Sequence, residues 1–256
     1  MARLPRRLEH HEEASLAEHL DELRGRLFVV LGALLVATIV AYVFHNQILD
    51  WLNQPLPANR RRVVTLGVTE PFTTTITVCV YAGFIVALPV VLWQVWAFFA
   101  PAVDPKAERK VLGLVAAAFA LGAVGVTFGY WVILPRAVHF LTTYGDTHFR
   151  NLIQAKPYYS FVVTILVGIV LVFQTPLVVL GLVSLGVLSS QTLRKHRKMG
   201  YLITAAIALA LPGPDPVTTL FELVPMWILF EASIWLAWLY ERRRKKVISG
   251  SATLGS

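Results

Sequence analysis

The sequence predicts an all-α polytopic membrane protein with six transmembrane helices, and three observations carry that prediction. The chain of 256 residues is 56% hydrophobic and only 15% charged, whereas a soluble domain carries about a quarter charged residues. Its charges are clustered, leaving uncharged runs at residues 27–44, 71–103, 111–135, 157–193 and 199–214. A further apolar stretch, residues 217–240, is interrupted only by Glu222 and Glu231. A bilayer-crossing helix needs about 20 mainly apolar residues. Six such runs packed into a soluble globule would leave too little polar surface to face water. An ordinary cytosolic enzyme, a disordered chain and a coiled coil are excluded on the same grounds.

The net charge of +8 is topological and does not point to nucleic acid. With both termini on one side, that side holds 17 of the 23 basic residues and the other side 6. The positive-inside rule then places both termini in the cytoplasm. Arg60, Arg61 and Arg62 run against the bias without overturning it.

The elements follow in order. Residues 1–14 are charged and read as a mobile cytoplasmic tail. Ser15 and Glu18 form a capping-box pattern that starts a helix, and Leu16, Leu20, Leu23 and Leu27 continue at helical spacing. This amphipathic turn runs into the first span, which lacks a cleavage site and is therefore retained. Residues 46–70 form the first external segment. The second span contains Pro89, which should kink it, and ends in the aromatic belt of Trp93, Trp96, Phe98 and Phe99. A short loop leads into the third span, which ends near Pro135. Residues 136–158 form the second external segment, and a fourth span follows that is longer than a bilayer requires. Between Lys198 and the turn beginning at Pro212, only 13 residues remain for the fifth span, about 20 Å of helix. The fifth and sixth helices are accordingly expected to be short, with local thinning of the bilayer or shielding by a partner. The organisation is thus a tail at residues 1–14, one six-helix transmembrane domain at 15–241, and a basic cytoplasmic tail at 242–256.

Several chemistries find no support. The sequence has no phosphate loop, no HExxH and no GxSxG, so neither an enzyme nor a cofactor is expected. His10, His11 and His19 resemble a metal cluster only superficially, and no metal site is read from them. The single cysteine, Cys79, lies inside the second span as a buried small residue. The polar groups within spans are Gln174 and Thr175 in the fourth, and Glu222 and Glu231 in the sixth. Such groups face a bundle interior, a cavity or a partner helix, or simply hydrogen-bond between helices. A secondary transporter or channel using Glu222, Glu231 and Gln174 as an ion path is the main alternative, although no inverted repeat accompanies it. An intramembrane hydrolase would need a nucleophile and base that are not found. Glu22 can form a plain i,i+4 pair with Arg26, and Glu108 by itself is a loop carboxylate among bases.

Five separated segments carry a resemblance. They are His19-Leu-Asp-Glu-Leu-Arg24, Gly67-Val-Thr-Glu-Pro-Phe72, the stretch from Trp93 to Pro101 followed by Glu108-Arg109, Phe173-Gln-Thr-Pro176, and Pro214-Asp-Pro216 with the stretch from Pro225 to Glu231. In this order they resemble TatC, the multispanning subunit of the twin-arginine protein translocase, over residues 15–240. The resemblance implies a non-enzymatic receptor in a bacterial or archaeal cytoplasmic membrane. It would bind twin-arginine signal peptides and assemble with single-span TatA and TatB partners to export folded proteins, driven by the proton-motive force.

The same resemblance implies a signal-peptide site at Glu22, Glu108 and Phe98, flanked by His19, Leu23 and Arg24. It also implies partner-helix contacts at Gln174, Thr175, Asp215, Thr219 and Glu231. Gln174 stands where the family often has a glutamate, so hydrogen-bonding capacity is kept without charge. The chemistry suits the purpose, because a guanidinium is a planar fork that matches a carboxylate bidentately and lysine cannot copy it.

Overall fold

The computed structural model describes residues 16–58, 61–99, 108–144, 152–210 and 216–252. These are almost entirely helical, and five helical segments are long and apolar enough to cross a membrane. The tail at residues 1–14, Ser15, Asp215 and the turn beginning at Pro212 lie outside the described residues.

Helix α1 (Leu16–Val43) runs unbroken from the amphipathic turn through the first span. It packs antiparallel along α3 (Glu70–Phe99), which continues as one helix through Pro89. Helices in a bilayer gain little from hiding apolar surface, so close backbone approach at small residues matters most. At the α1–α3 crossing, a Cβ on Gly83 would lie 2.7 Å from the Thr38 backbone nitrogen. Only glycine permits that approach.

Helix α2 (His45–Asn53) closes the end of the bundle opposite the start of α1. Trp51 stacks on Tyr130 with centroids 3.7 Å apart, and the Tyr130 hydroxyl donates to the Trp51 carbonyl at 2.8 Å. Tyr158 likewise donates to the Leu52 carbonyl at 2.6 Å. The largest buried cluster lies beneath, with Leu52, Ile133, Leu134, Val162, Ile165 and Ile169 in its interior. The segments leading into α3 and α6 are joined by a parallel bridge, with Val64 N donating to Ile153 O and Ala155 N to Val64 O, both at 2.8 Å. Glu70 fastens this joint. Its carboxylate accepts from Leu66 N (2.8 Å), Gly67 N (3.2 Å), Gln154 Nε2 (3.0 Å) and Lys156 N (3.2 Å).

The third span does not stop near Pro135. Helix α4 (Glu108–Phe128) passes through a π-helical segment, Gly129–Ile133, into α5 (Leu134–Thr143). Pro135 falls in the first turn of α5, where its missing N–H costs no helical bond, and the wider π turn absorbs the change. Arg136, expected in the segment after the third span, therefore belongs to a helix that runs to Thr143.

The fourth span is two helices, α6 (Ala155–Phe173) and α7 (Thr175–Ser184), meeting at Gln174. Together they cover Ala155–Ser184, 30 residues, and form the most buried of the spans. A six-residue helix, α8 (Ser190–Lys195), precedes α9 (Arg197–Ala210), the expected short fifth helix at 14 residues. The sixth helix corrects the expectation. Helix α10 (Pro216–Ala252) has 37 residues, and its apolar part, Thr218–Arg243, has 26. The carboxylates that interrupt its hydrophobic run do not interrupt the helix, because Glu222 is buried within the bundle and Glu231 is neutralised by α9. The same helix continues to Ala252, through much of the segment read as a tail. Cys79 is fully buried and unpaired, as expected of a packing residue.

Candidate functional site

One end of the bundle gathers the start of α1, the end of α3 and the start of α4. Glu22 is tied into it by a neighbour on its own helix. The Glu22 Oε1 accepts from Arg26 Nη2 at 2.5 Å and from Arg26 Nε at 3.1 Å. Arg26 then crosses to α3, where Nη1 donates to Gln94 Oε1 (3.2 Å) and Nη2 to the Ala97 carbonyl (3.0 Å). Arg26 thus holds the Glu22 carboxylate against the end of α3.

The i,i+4 pair expected from spacing is present, with side-chain exposures of 23% for Arg26 and 35% for Glu22. At that exposure the pair contributes at most about 1 kcal/mol to stability, so its main effect is positional. Among the described residues, Glu22 Oε2 accepts no hydrogen bond. Phe98 is half-buried at the end of α3, near where Ala97 receives Arg26. Leu23 is 47% exposed, and Arg24 lies 5.8 Å from the Phe28 ring centroid. His19 lies on the first turns of α1 and Glu108 is the first residue of α4, and the side chains of both fall outside the described set.

A second polar position lies at the α6–α7 break. Gln174 N turns back to Leu171 O at 3.0 Å, and Pro176 supplies no N–H, so the helix restarts there. The Gln174 side chain is 2% exposed. Its Nε2 donates to the Ala118 carbonyl of α4 at 3.2 Å, and its Oε1 is buried with no hydrogen-bond partner among the described residues. Ala118 also borders an apolar pocket between α3, α4 and α7, walled by Trp93, Trp96 and Leu177. Thr175 is half-buried beside it.

Of the remaining candidates, Thr219 is half-buried and Glu222 buried in α10. Glu231 Oε2 pairs with Arg197 Nη2 at 3.2 Å, and Oε1 accepts from the Tyr201 hydroxyl at 2.5 Å. The structure therefore brings Glu22 and Phe98 to one end, sets Gln174 and Thr175 in the interior, and engages Glu231 between α9 and α10. Sequence reasoning missed Gln94 as the receiver of Arg26 and Glu70 as the fastener at the opposite end. Both lie within the motifs quoted above, but spacing along one chain cannot reveal a partner on another helix.

These features define a multi-pass, all-helical membrane protein with a polar anchorage at one end and a polar break in its most buried span. Residues 18–225 match the family model described as TatC, Sec-independent protein translocase protein. The Sec-independent protein translocase protein TatC of Carboxydothermus hydrogenoformans is 34% identical over 224 residues, covering 87% of this chain and 92% of that protein. TatCd of Bacillus subtilis is 33% identical over 243 residues, covering 94% of this chain and 99% of that one. A crystal structure of the twin arginine translocase receptor TatC superposes with a TM-score of 0.76 at 30% identity, covering 87% of this chain and 99% of that one. The chain belongs to the TatC family and is a subunit of the Sec-independent protein translocase.

Proposed function

We propose that this chain is the receptor of a twin-arginine translocase, taking the paired arginines of a signal peptide at Glu22 and Glu108. The observation that carries the reading is the Arg26 clamp. The Arg26 guanidinium already directs two N–H groups at one oxygen of Glu22, and among the described residues the other oxygen accepts no hydrogen bond, which leaves it to a second guanidinium. His19, Leu23, Arg24 and Phe98 flank this position, with exposed Leu23 suited to the apolar segment that follows the arginines. The superposed crystal structure is that of a twin arginine translocase receptor, which supports the reading. The site would face the cytoplasm of a bacterium or archaeon, with both termini on that side, consistent with the basic-residue bias.

Single-span partners of the TatA and TatB type would dock around Gln174 and Thr175 and along the short α9, with Thr219, Asp215 and Glu231 joining the contact. The unpartnered Gln174 oxygen supports this, since a buried acceptor gains from a donor brought by another helix. The proton-motive force would supply the energy.

The test is binding of the purified protein to a twin-arginine signal peptide and to its twin-lysine version. A preference for arginine is expected, and it should shrink in Glu22→Ala and Glu108→Ala. Equal binding of both peptides by folded protein would refute the receptor reading.

A further inference from the structure

We propose that the end of the bundle formed by α8 and the end of the apolar part of α10 binds the phosphate headgroup of an anionic phospholipid, held by Arg194 and Arg242 beside Trp238. The two guanidinium carbons lie 5.7 Å and 5.2 Å from the Trp238 ring centroid. They come from separate helices, so the fold has brought two cations around one indole, no more than about 11 Å apart, and an anion bound between them would interact with both.

Among the described residues no such anion is supplied. Residues 184–201 and 232–256 together contain nine arginines and lysines and one acidic residue, Glu241. That carboxylate is turned onto α8, where it accepts from Ser190 N at 2.9 Å and Ser190 Oγ at 2.5 Å. The other nearby acid, Glu231, is taken by Arg197 and Tyr201. Among the described residues neither Arg194 nor Arg242 has an ion-pair partner.

A lipid, and not a free anion or an acidic peptide, is the occupant that the surroundings fit. Arg242 is next to the last residue of the apolar part of α10, Thr218–Arg243, so the pair sits where a span meets the headgroups. Trp235 is 56% exposed, and Leu236 and Leu239 are 43% exposed on the preceding turns, offering apolar surface to acyl chains. An indole at this depth is at home in the interface, and basic pockets between transmembrane helices accept anionic headgroups. Two arginine forks can share one phosphate.

The test is native mass spectrometry of the full, delipidated chain titrated with phosphatidylglycerol or with phosphatidylcholine. The wild type should hold phosphatidylglycerol about tenfold more tightly, as expected for charge-assisted hydrogen bonds. Arg194→Gln/Arg242→Gln should lose most of that preference. Arg61→Gln/Arg62→Gln, which removes the same charge at the other end, should keep it. Arg242→Gln alone, at an exposed position, should give an intermediate loss and serves if the double variant does not fold. No preference in the wild type, or an unchanged preference in Arg242→Gln, would overturn the proposal. Equal loss in the Arg61/Arg62 variant would overturn it too, reducing the effect to general charge attraction. Displacement of the lipid by inorganic phosphate at equal concentration would mean a phosphate site without lipid recognition.

Discussion

Replacing Gly83 with alanine tests whether the α1–α3 crossing holds the Glu22 anchorage in place. An added Cβ would lie 2.7 Å from Thr38 N and 2.8 Å from Thr38 Cα. These are backbone atoms and cannot rotate away, unlike Thr38 Oγ1 at 2.6 Å. Restoring ordinary contact requires the helices to separate by about 0.7 Å, the kind of overpacking that costs about 1–3 kcal/mol. Alanine returns up to about 1 kcal/mol of helix propensity, leaving a net loss of up to about 2 kcal/mol. If the separation is carried along the helices, the Arg26 bonds to Ala97 O (3.0 Å) and Gln94 Oε1 (3.2 Å) stretch past the hydrogen-bonding range.

Thermal unfolding in detergent should show a lower midpoint for Gly83→Ala, by about 2–4 °C per kcal/mol for a chain of this size. Signal-peptide binding should weaken as well. Gly32→Ala on α1 is the matched control. Nothing lies within 4 Å of its added Cβ, so propensity alone acts and the midpoint should hold or rise. Equal midpoints for wild type and Gly83→Ala, with binding intact, would show that the crossing tolerates a side chain and that the anchorage does not depend on it.

Three further outcomes are expected. Glu22→Gln should lower signal-peptide affinity by about tenfold or more, the loss of a charge-assisted bond, yet change the unfolding midpoint little because its pair with Arg26 is part-exposed; peptide titration and melting on one sample separate the two. Gln174→Leu removes both the bond to Ala118 O and the orphaned buried oxygen, so stability should stay within about 1 kcal/mol while co-purification of single-span partners falls; a large loss of stability with partners retained would count against a docking role. Tyr158→Phe should cost about 1 kcal/mol through its bond to Leu52 O, seen as faster proteolysis of the α2 region.

The general architecture was legible in the sequence because a bilayer constrains composition directly. Uncharged runs of spanning length mark the helices, and clustered bases mark their ends. The short fifth helix was readable in the same way, since Lys198 and Pro212 bound it. Errors arose where one residue was given a local meaning that its surroundings override. Pro135 looked like a terminus, but a π turn carries the helix past it to Thr143. The sixth helix was expected to be short like the fifth, but α10 runs to Ala252, with Glu222 buried and Glu231 paired with Arg197.

The site divides along the same line. Sequence alone determined which residue types were available: a carboxylate at Glu22, an amide at Gln174 and aromatics around Phe98. Its spacing also gave the Glu22–Arg26 pair, because i and i+4 share one helical face. Only the tertiary structure decided that Arg26 reaches Gln94 and Ala97, that Glu70 fastens the segments leading into α3 and α6, and that Arg194 and Arg242 meet on Trp238. Those contacts join residues far apart in the chain, and helix periodicity carries no information about which face of one helix meets which face of another. That choice rests on where small residues such as Gly83 let two backbones approach.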